Sequence, residues 1–238
     1  MGKNISIVVP AYNSEGSIKT LIYEIESEIS KITNHDFEII IVNDSSVDST
    51  KKILHNIAKK NQNLKIINNE QNLGQASSTL IGIKQSKGDV IVTIDDDLQH
   101  PPKEIVKLTN ALFEGDYDFV IGYWFADETF LRNITSFIAR IAFNIFNFRN
   151  VKYRDTAFRA INKRIKDDAI KILNNNVLLD FTKVSKNYKN IEVSHNSTPL
   201  NRKFMSFNKR SVLAIRYILK DTYFKYFVAL IFLYLYFM

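Results

Sequence analysis

The chain has 238 residues, 45% of them hydrophobic, and carries 32 basic against 25 acidic side chains, a net charge of +7. That length can bury one sizeable core with a small appendage, and the charge points to an anionic partner such as a phosphorylated substrate, a nucleic acid or a membrane surface. The absence of cysteine excludes a disulfide framework and a thiolate metal site.

The first 125 residues alternate strand and helix. Ile5–Val9 reads as an apolar strand directly at the start, with no signal-peptide pattern before it, and the turn "PAYNSEGS" follows. Leu21, Ile22, Ile25 and Ile29 share one side of a helix predicted over Ile18 to Ile32. Phe37–Val42 is a second strand, followed by "NDSSVDST" and a helix through Lys60. Leu64–Ile67 is a third strand, "NNEQNLGQA" a loop and Ser77–Gln85 a helix. Asp89–Ile94 is the fourth strand. Pro101 and Pro102 then suit a helix start, and that helix is expected to run to about Phe113. Asp118–Ile121 is the fifth strand.

Units of this kind imply a mostly parallel sheet in a three-layer α/β fold, whose ligands sit at the C-terminal strand ends. The polar stretches "YNSE", "NDSS", "NLGQ" and "DDD" fall at the ends of strands one to four. A small-molecule site at that sheet edge is therefore expected. The acidic edge argues against a nucleic-acid partner, because phosphodiesters would be repelled by it.

The second half changes character. Leu131, Ile134, Ile138, Ile141, Ile145 and Phe148 mark an amphipathic helix over 131–149, with Arg132, Ser136 and Arg140 four apart on another face. Leu131 to Lys166 holds nine basic residues and one acid, and Asn201 to Lys220 holds six basic residues and none acidic. The apolar run Phe227–Met238 is shorter than the roughly 20 residues of a membrane-spanning helix. It reads either as a core helix or, favoured by its aromatic residues and the preceding basic run, as an interfacial or partly inserted membrane segment.

Asp95, Asp96 and Asp97 form the densest charge in the chain. Like charges at a strand end need compensation, and oxygen ligands suit a hard divalent cation, Mg²⁺ or Mn²⁺, that completes its shell with water and substrate phosphate. Alternation along an extended chain puts Asp95 and Asp97 on one side and Asp96 on the other. The competing reading is a solvated acidic turn that caps the next helix. The histidines, His35, His55, His100 and His195, are scattered and suggest no zinc site. His100, beside the aspartates, could either cap the Pro101-Pro102 helix or take part in catalysis. "NLGQAS" lacks the pattern of a phosphate-cradling glycine loop.

With these motifs, "SIVVPAYNSEGSI", "IIIVNDSSVDST", "NLGQASSTLIGIKQSKGDVIVTIDDDLQHPP" and "FVIG", the sequence resembles the family 2 inverting glycosyltransferases. Its "DLQHPP" and the block "RDTAFRAINKR" from Arg154 to Arg164 are similar to the polyprenyl-phosphate branch of that family. The resemblance implies a GT-A type three-layer αβα nucleotide-sugar fold over residues 1–200, with a basic and hydrophobic membrane-associated segment at 201–238. It implies a metal held by Asp95, Asp97 and Gln99. Pro10, Tyr12, Asn13, Glu15, Asp44, Gly74, Gln75, Asp95, Asp96 and Arg202 would serve the nucleotide-sugar. Arg132, Ser136, Arg140 and Arg159 would hold the acceptor phosphate, and Asp97 and Asp155 would act in catalysis.

The implied reaction moves a sugar from a nucleotide diphosphate-sugar to a polyprenyl phosphate at the cytoplasmic side of a membrane. Alternatives are a saccharide acceptor in surface polysaccharide synthesis, or a non-catalytic role as a subunit of a membrane glycosylation complex; candidate protein partners are a second copy of the chain or a membrane partner chain. Three departures stand out: Asn43 and Ser45 replace the acid and glycine of the usual "DDGS", and Trp124 replaces an arginine. The closing basic loop "RKFMSFNK" also lacks its glycine.

Overall fold

In a computed structural model the described residues are 4–31, 36–124, 156–173 and 181–196. Among them seven strands form one sheet in the order β3-β2-β1-β4-β6-β5-β7. β1 (Ile5–Ala11), β2 (Phe37–Asn43), β3 (Leu64–Asn68) and β4 (Val90–Thr93) are parallel, as sequence periodicity predicts. β5 (Phe119–Tyr123) and β7 (Tyr188–Glu192) also pair in parallel. The exception is β6 (Arg159–Asn162), which runs antiparallel between β4 and β5.

Alternating side chains divide between two helical layers. Ile5, Ile7 and Val9 of β1, with Val90 and Val92 of β4, pack toward α1 (Ile18–Ile29), α2 (Thr50–Ala58) and α4 (Glu104–Glu114). Val8, Ile40, Val42 and Ile91 point the other way, into a second core with α3 (Gln75–Gln85) and α5 (Lys166–Leu173). Both faces of the central strands are thus buried, which explains their nearly continuous apolar runs. The three-layer α/β arrangement is the predicted one.

The helices start and stop close to the expected positions, with α1 ending at Ile29 rather than Ile32. α3 lies tight on the sheet because Gly82 has no side chain: a Cβ there would come within 2.3 Å of Val8 Cγ1 and 3.3 Å of Val42 Cγ2. No helix among the described residues is long and apolar enough to cross a membrane. The predicted helix 131–149 and the segment 201–238 lie outside the described residues.

Gly82→Ala should lower unfolding free energy by about 1–3 kcal/mol in denaturant titration, because overpacking against buried Val8 outweighs the gain in helix propensity.

Candidate active site

The ends of β1, β2, β3, β4, β5 and β7 share one edge of the sheet, and β6 begins there. Strand ends leave backbone N–H groups that need acceptors, and on the β1–β3 side acidic and amide side chains supply them. Asp44, 3% exposed, accepts from Leu73 N and Asn69 Nδ2 at 2.8 Å through one oxygen, and from Gly74 N at 2.8 Å through the other. Gly74 precedes α3 with φ 85°, a left-handed conformation suited to glycine.

The loop after β1 is laced to the loop after β2. Asn13 N donates to Ser46 Oγ (3.0 Å), and Asn13 Oδ1 accepts from Val47 N (2.9 Å). Glu15 N donates to Asp48 Oδ2 (3.1 Å), while Glu15 Oε2 accepts from Ser49 N (2.9 Å). Partial burial works against the Asp48 charge. Hydrogen bonds from Thr50 and from the Glu15 N–H outweigh it and hold this carboxyl below its ordinary pKa. Pro10 occupies β1 where pairing with β4 has already ended at Val8 and Thr93, so its missing N–H costs no ladder bond on that side.

Asn13 (φ 52°), Ser45 (φ 59°) and Leu98 (φ 61°) adopt left-handed backbone in the loops after β1, β2 and β4. The position where the family pattern has glycine, Ser45, thus keeps the glycine-like conformation. Asn43 Nδ2 donates to Asn68 Oδ1 at 2.9 Å, and Asn43 Oδ1 accepts from Ser46 N at 3.3 Å. This amide uses both a donor and an acceptor, which a carboxylate could not do.

After β4 the three aspartates separate by role. Asp96, 4% exposed, turns into the β1–α1 loop, where its carboxylate accepts from Tyr12 N (3.1 Å) and the Ser14 hydroxyl, and its carbonyl accepts from Ser17 Oγ (2.6 Å). Asp95 and Asp97 are half-buried. Asp95 Oδ1 accepts from Gln75 Nε2 at 2.5 Å, and Asp97 Oδ1 accepts from Gln99 N at 3.1 Å. Among the described residues no three His, Cys, Asp or Glu side chains converge into a metal cage. Two oxygen donors without nitrogen or sulfur nonetheless fit a hard cation that draws other ligands from water and a diphosphate.

On the far side of Asp97 the edge is aromatic. His100 stacks on Phe158 (centroids 5.0 Å apart) and meets Trp124 (4.9 Å) and His195 (5.3 Å) edge-on. Trp124 and His195 stack in parallel at 4.0 Å. His100 Nδ1 has no hydrogen-bond partner among the described residues, and the residue at the α4 N-cap position is Lys103. Burial, reinforced by His195, pushes the His100 pKa down to about 4.

Arg159 opens β6 opposite Thr93 and Ile121, 5% exposed, with its guanidinium 5.3 Å from the centre of the Phe181 ring. Thr156 Oγ1 donates to Gly122 O at 2.6 Å. Arg132, Ser136, Arg140, Asp155 and Arg202 lie outside the described residues.

Val47 and Leu73 were not among the expected site residues, whereas Tyr12 was. Tyr12, Val47 and Leu73 are 45%, 85% and 42% exposed in the loops after β1, β2 and β3. Apolar Val47 and Leu73 amid polar loop residues were the available hint. The stacking of Trp124 with His195 depends on residues far apart in sequence and could not be read in advance.

The mostly parallel seven-strand sheet between two helical layers, with the paired aspartates just beyond the end of β4, is an architecture of the GT-A fold class. Residues 6–179 match the family described as "Glycosyl transferase family 2", and the chain belongs to that family. It is 41% identical over 120 residues to an undecaprenyl-phosphate 4-deoxy-4-formamido-L-arabinose transferase of Pseudomonas savastanoi pv. phaseolicola. The matched stretch covers 50% of this chain but 35% of that relative. A protein of the same name from Yersinia enterocolitica is 39% identical over 120 residues, covering 50% of this chain and 36% of the relative. In structure the chain resembles glucosyl-3-phosphoglycerate synthase from Mycobacterium tuberculosis in complex with Mn²⁺, UDP and phosphoglyceric acid. That match has a TM-score of 0.62 and 19% identity over 91% of this chain and 76% of the other, a likeness of fold.

Two outcomes are expected. Asp96→Ala strands the Tyr12 N–H and Ser14 hydroxyl and should cost about 2–4 kcal/mol of unfolding free energy, with Asp96→Asn costing roughly half. The fold also keeps His100 neutral while the unfolded chain protonates it below its ordinary 6.5, so its contribution is complete above pH 6.5 and lost as pH falls toward 4. His100→Phe should flatten that acid limb by up to about 3 kcal/mol, read from denaturant titrations of both proteins across the window.

Proposed function

We propose that this protein transfers a sugar from a nucleotide diphosphate-sugar to a polyprenyl phosphate, with inversion at the anomeric carbon. One observation carries the reading: Asp95 and Asp97 follow β4 between the laced loops of β1–β3 and the edge formed by β5, β6 and β7. Family membership and the names of the relatives support it.

The β1–β3 side would take the nucleoside. Exposed Tyr12, Val47 and Leu73 offer apolar surface to the base, and Gly74 and Gln75 present the start of α3 beside it. Asp44 fixes the backbone of that loop through its three accepted hydrogen bonds, so its contribution to the base is first of all to shape the pocket. Asp95, Asp97 and Gln99 would hold a divalent cation, Mg²⁺ or Mn²⁺. When bound, it supplies positive charge to the leaving diphosphate.

An acceptor phosphate oxygen attacks the anomeric carbon as the bond from that carbon to the diphosphate oxygen breaks, and the electron pair leaves with the nucleoside diphosphate. Phosphomonoesters have a second pKa of about 6, so the nucleophile is already largely ionised at neutral pH and needs no strong base. Asp155 would then orient the acceptor more than deprotonate it. Arg132, Ser136, Arg140 and Arg159 would hold the acceptor phosphate in line, and Arg202 would neutralise the departing pyrophosphate. A lipid acceptor, the basic stretch Asn201–Lys220 and apolar Phe227–Met238 together favour work at the cytoplasmic face of a membrane.

Membranes containing the full chain, incubated with Mn²⁺ or Mg²⁺, undecaprenyl phosphate and a panel of radiolabelled nucleotide sugars headed by UDP-sugars, test the proposal. Label should enter an organic-extractable, acid-labile lipid, and Asp97→Ala should reduce it by about a hundredfold or more, as expected for loss of several kcal/mol of charge stabilisation. Label in no such lipid, or in saccharide alone, overturns the proposal.

A further inference from the structure

The segment following β7 crosses the edge and closes on the loop of the paired aspartates. Val193 N extends the β5–β7 ladder to Tyr123 O (2.8 Å), and Ser194 Oγ ties the segment to Glu104 Oε1 at 2.7 Å on α4. Asn196 then makes two contacts with successive carbonyls: its N donates to Gln99 O at 2.8 Å and its Nδ2 to Leu98 O at 3.1 Å. The carbonyls it grips follow directly on a strained point. Leu98 has φ 61°, which costs a non-glycine residue about 1 kcal/mol or more and persists only where the surroundings enforce it.

The surroundings here act from two sides. The Leu98 side chain packs against the core shared with α1 and α4, while Asn196 holds its carbonyl. The left-handed turn lets Gln99 N reach back to Asp97 Oδ1 at 3.1 Å, which fixes where that carboxylate stands. His195, the residue before Asn196, stacks on Trp124 at 4.0 Å and keeps the segment from sliding along the edge.

We propose that Asn196 is a positioning residue for the cation and diphosphate subsite: it acts through the Leu98–Gln99 backbone to set Asp97. This rests on the proposed function only in naming the ligand of Asp97. Removing a group that orients metal ligands typically weakens the metal about tenfold to a hundredfold. Asn196→Ala keeps the backbone donor and loses the side-chain one. Asn196→Asp keeps the shape but sets a carboxylate oxygen against the Leu98 carbonyl, so its effect should be larger.

The experiment titrates Mn²⁺ by electron paramagnetic resonance into the full chain with UDP, GDP, CDP or dTDP, using a denaturation midpoint to confirm that each variant is folded. With the diphosphate that wild type accepts, Asn196→Ala should raise the Mn²⁺ dissociation constant about tenfold and Asn196→Asp more. Ser194→Ala, which cuts the tie to α4 but not to the aspartate loop, should leave it unchanged. Unaltered Mn²⁺ binding in both folded Asn196 variants overturns the inference and leaves the proposed function standing. An equal loss in Ser194→Ala also overturns it, because the segment would then act by general packing alone. Wild type that retains Mn²⁺ with none of the four diphosphates defeats the proposed function itself, and this inference with it.

Discussion

Backbone N–H groups left over where parallel strands end must find acceptors, and in this protein they find them in the side chains of neighbouring loops. Asp44 takes Leu73 and Gly74, Asp96 takes Tyr12, Asn13 takes Val47, Glu15 takes Ser49 and Asp97 takes Gln99. Hydrogen bonds to ionised acceptors are roughly twice as strong as neutral ones, so a few carboxylates can fix several loops. The acidity of the edge therefore has a structural cause: its carboxylates, half-buried Asp95 and Asp97 included, accept the hydrogen bonds that hold the loops together.

This interdependence of the loops limits what a linear reading can recover. The first five strands and four helices were legible because each buries one or two faces, and burial writes a period into the residues. β6 and β7 were not. "RAIN" is too short to show a period, and "YKNIE" is an edge strand with mostly exposed or half-buried side chains. Their pairing partners lie in β4 and β5, so only long-range geometry places them. The site divides in the same way. The strand-end location of Asp95 and Asp97 follows from alternation and strand order, whereas the scaffolding work of Asn13, Glu15 and Asp44 depends on partners 25 to 34 residues away.

The departures from the family pattern acquire physical meaning once their neighbours are known. Asn43 exchanges charge for an amide that donates to Asn68 and accepts from Ser46. Ser45 accepts a left-handed backbone at a cost of about 1 kcal/mol where glycine would avoid it. Trp124 gives up a guanidinium's charge for a parallel stack with His195. The exchanges at Asn43 and Trp124 remove a charge, while the one at Ser45 changes none and keeps the left-handed backbone.

The two halves of the edge are consequently built by different forces, and this bears on how each can work. The β1–β3 loops are cross-linked by directional hydrogen bonds, so their order is established on folding and need not be created again when a ligand arrives. The other half adds ring contacts among His100, Phe158, Trp124 and His195 to the hydrogen bonds of Thr156, Val193, Ser194 and Asn196. Ring contacts fix distance more than direction and tolerate exchange of one ring for another. The polar half is therefore fixed in direction as well as distance, the aromatic half mainly in distance. The aspartate loop lies at their boundary, bound on one side through Asp96 to Tyr12 and Ser14 and on the other through Leu98 and Gln99 to Asn196. A displacement of either half is therefore transmitted first to Asp95 and Asp97.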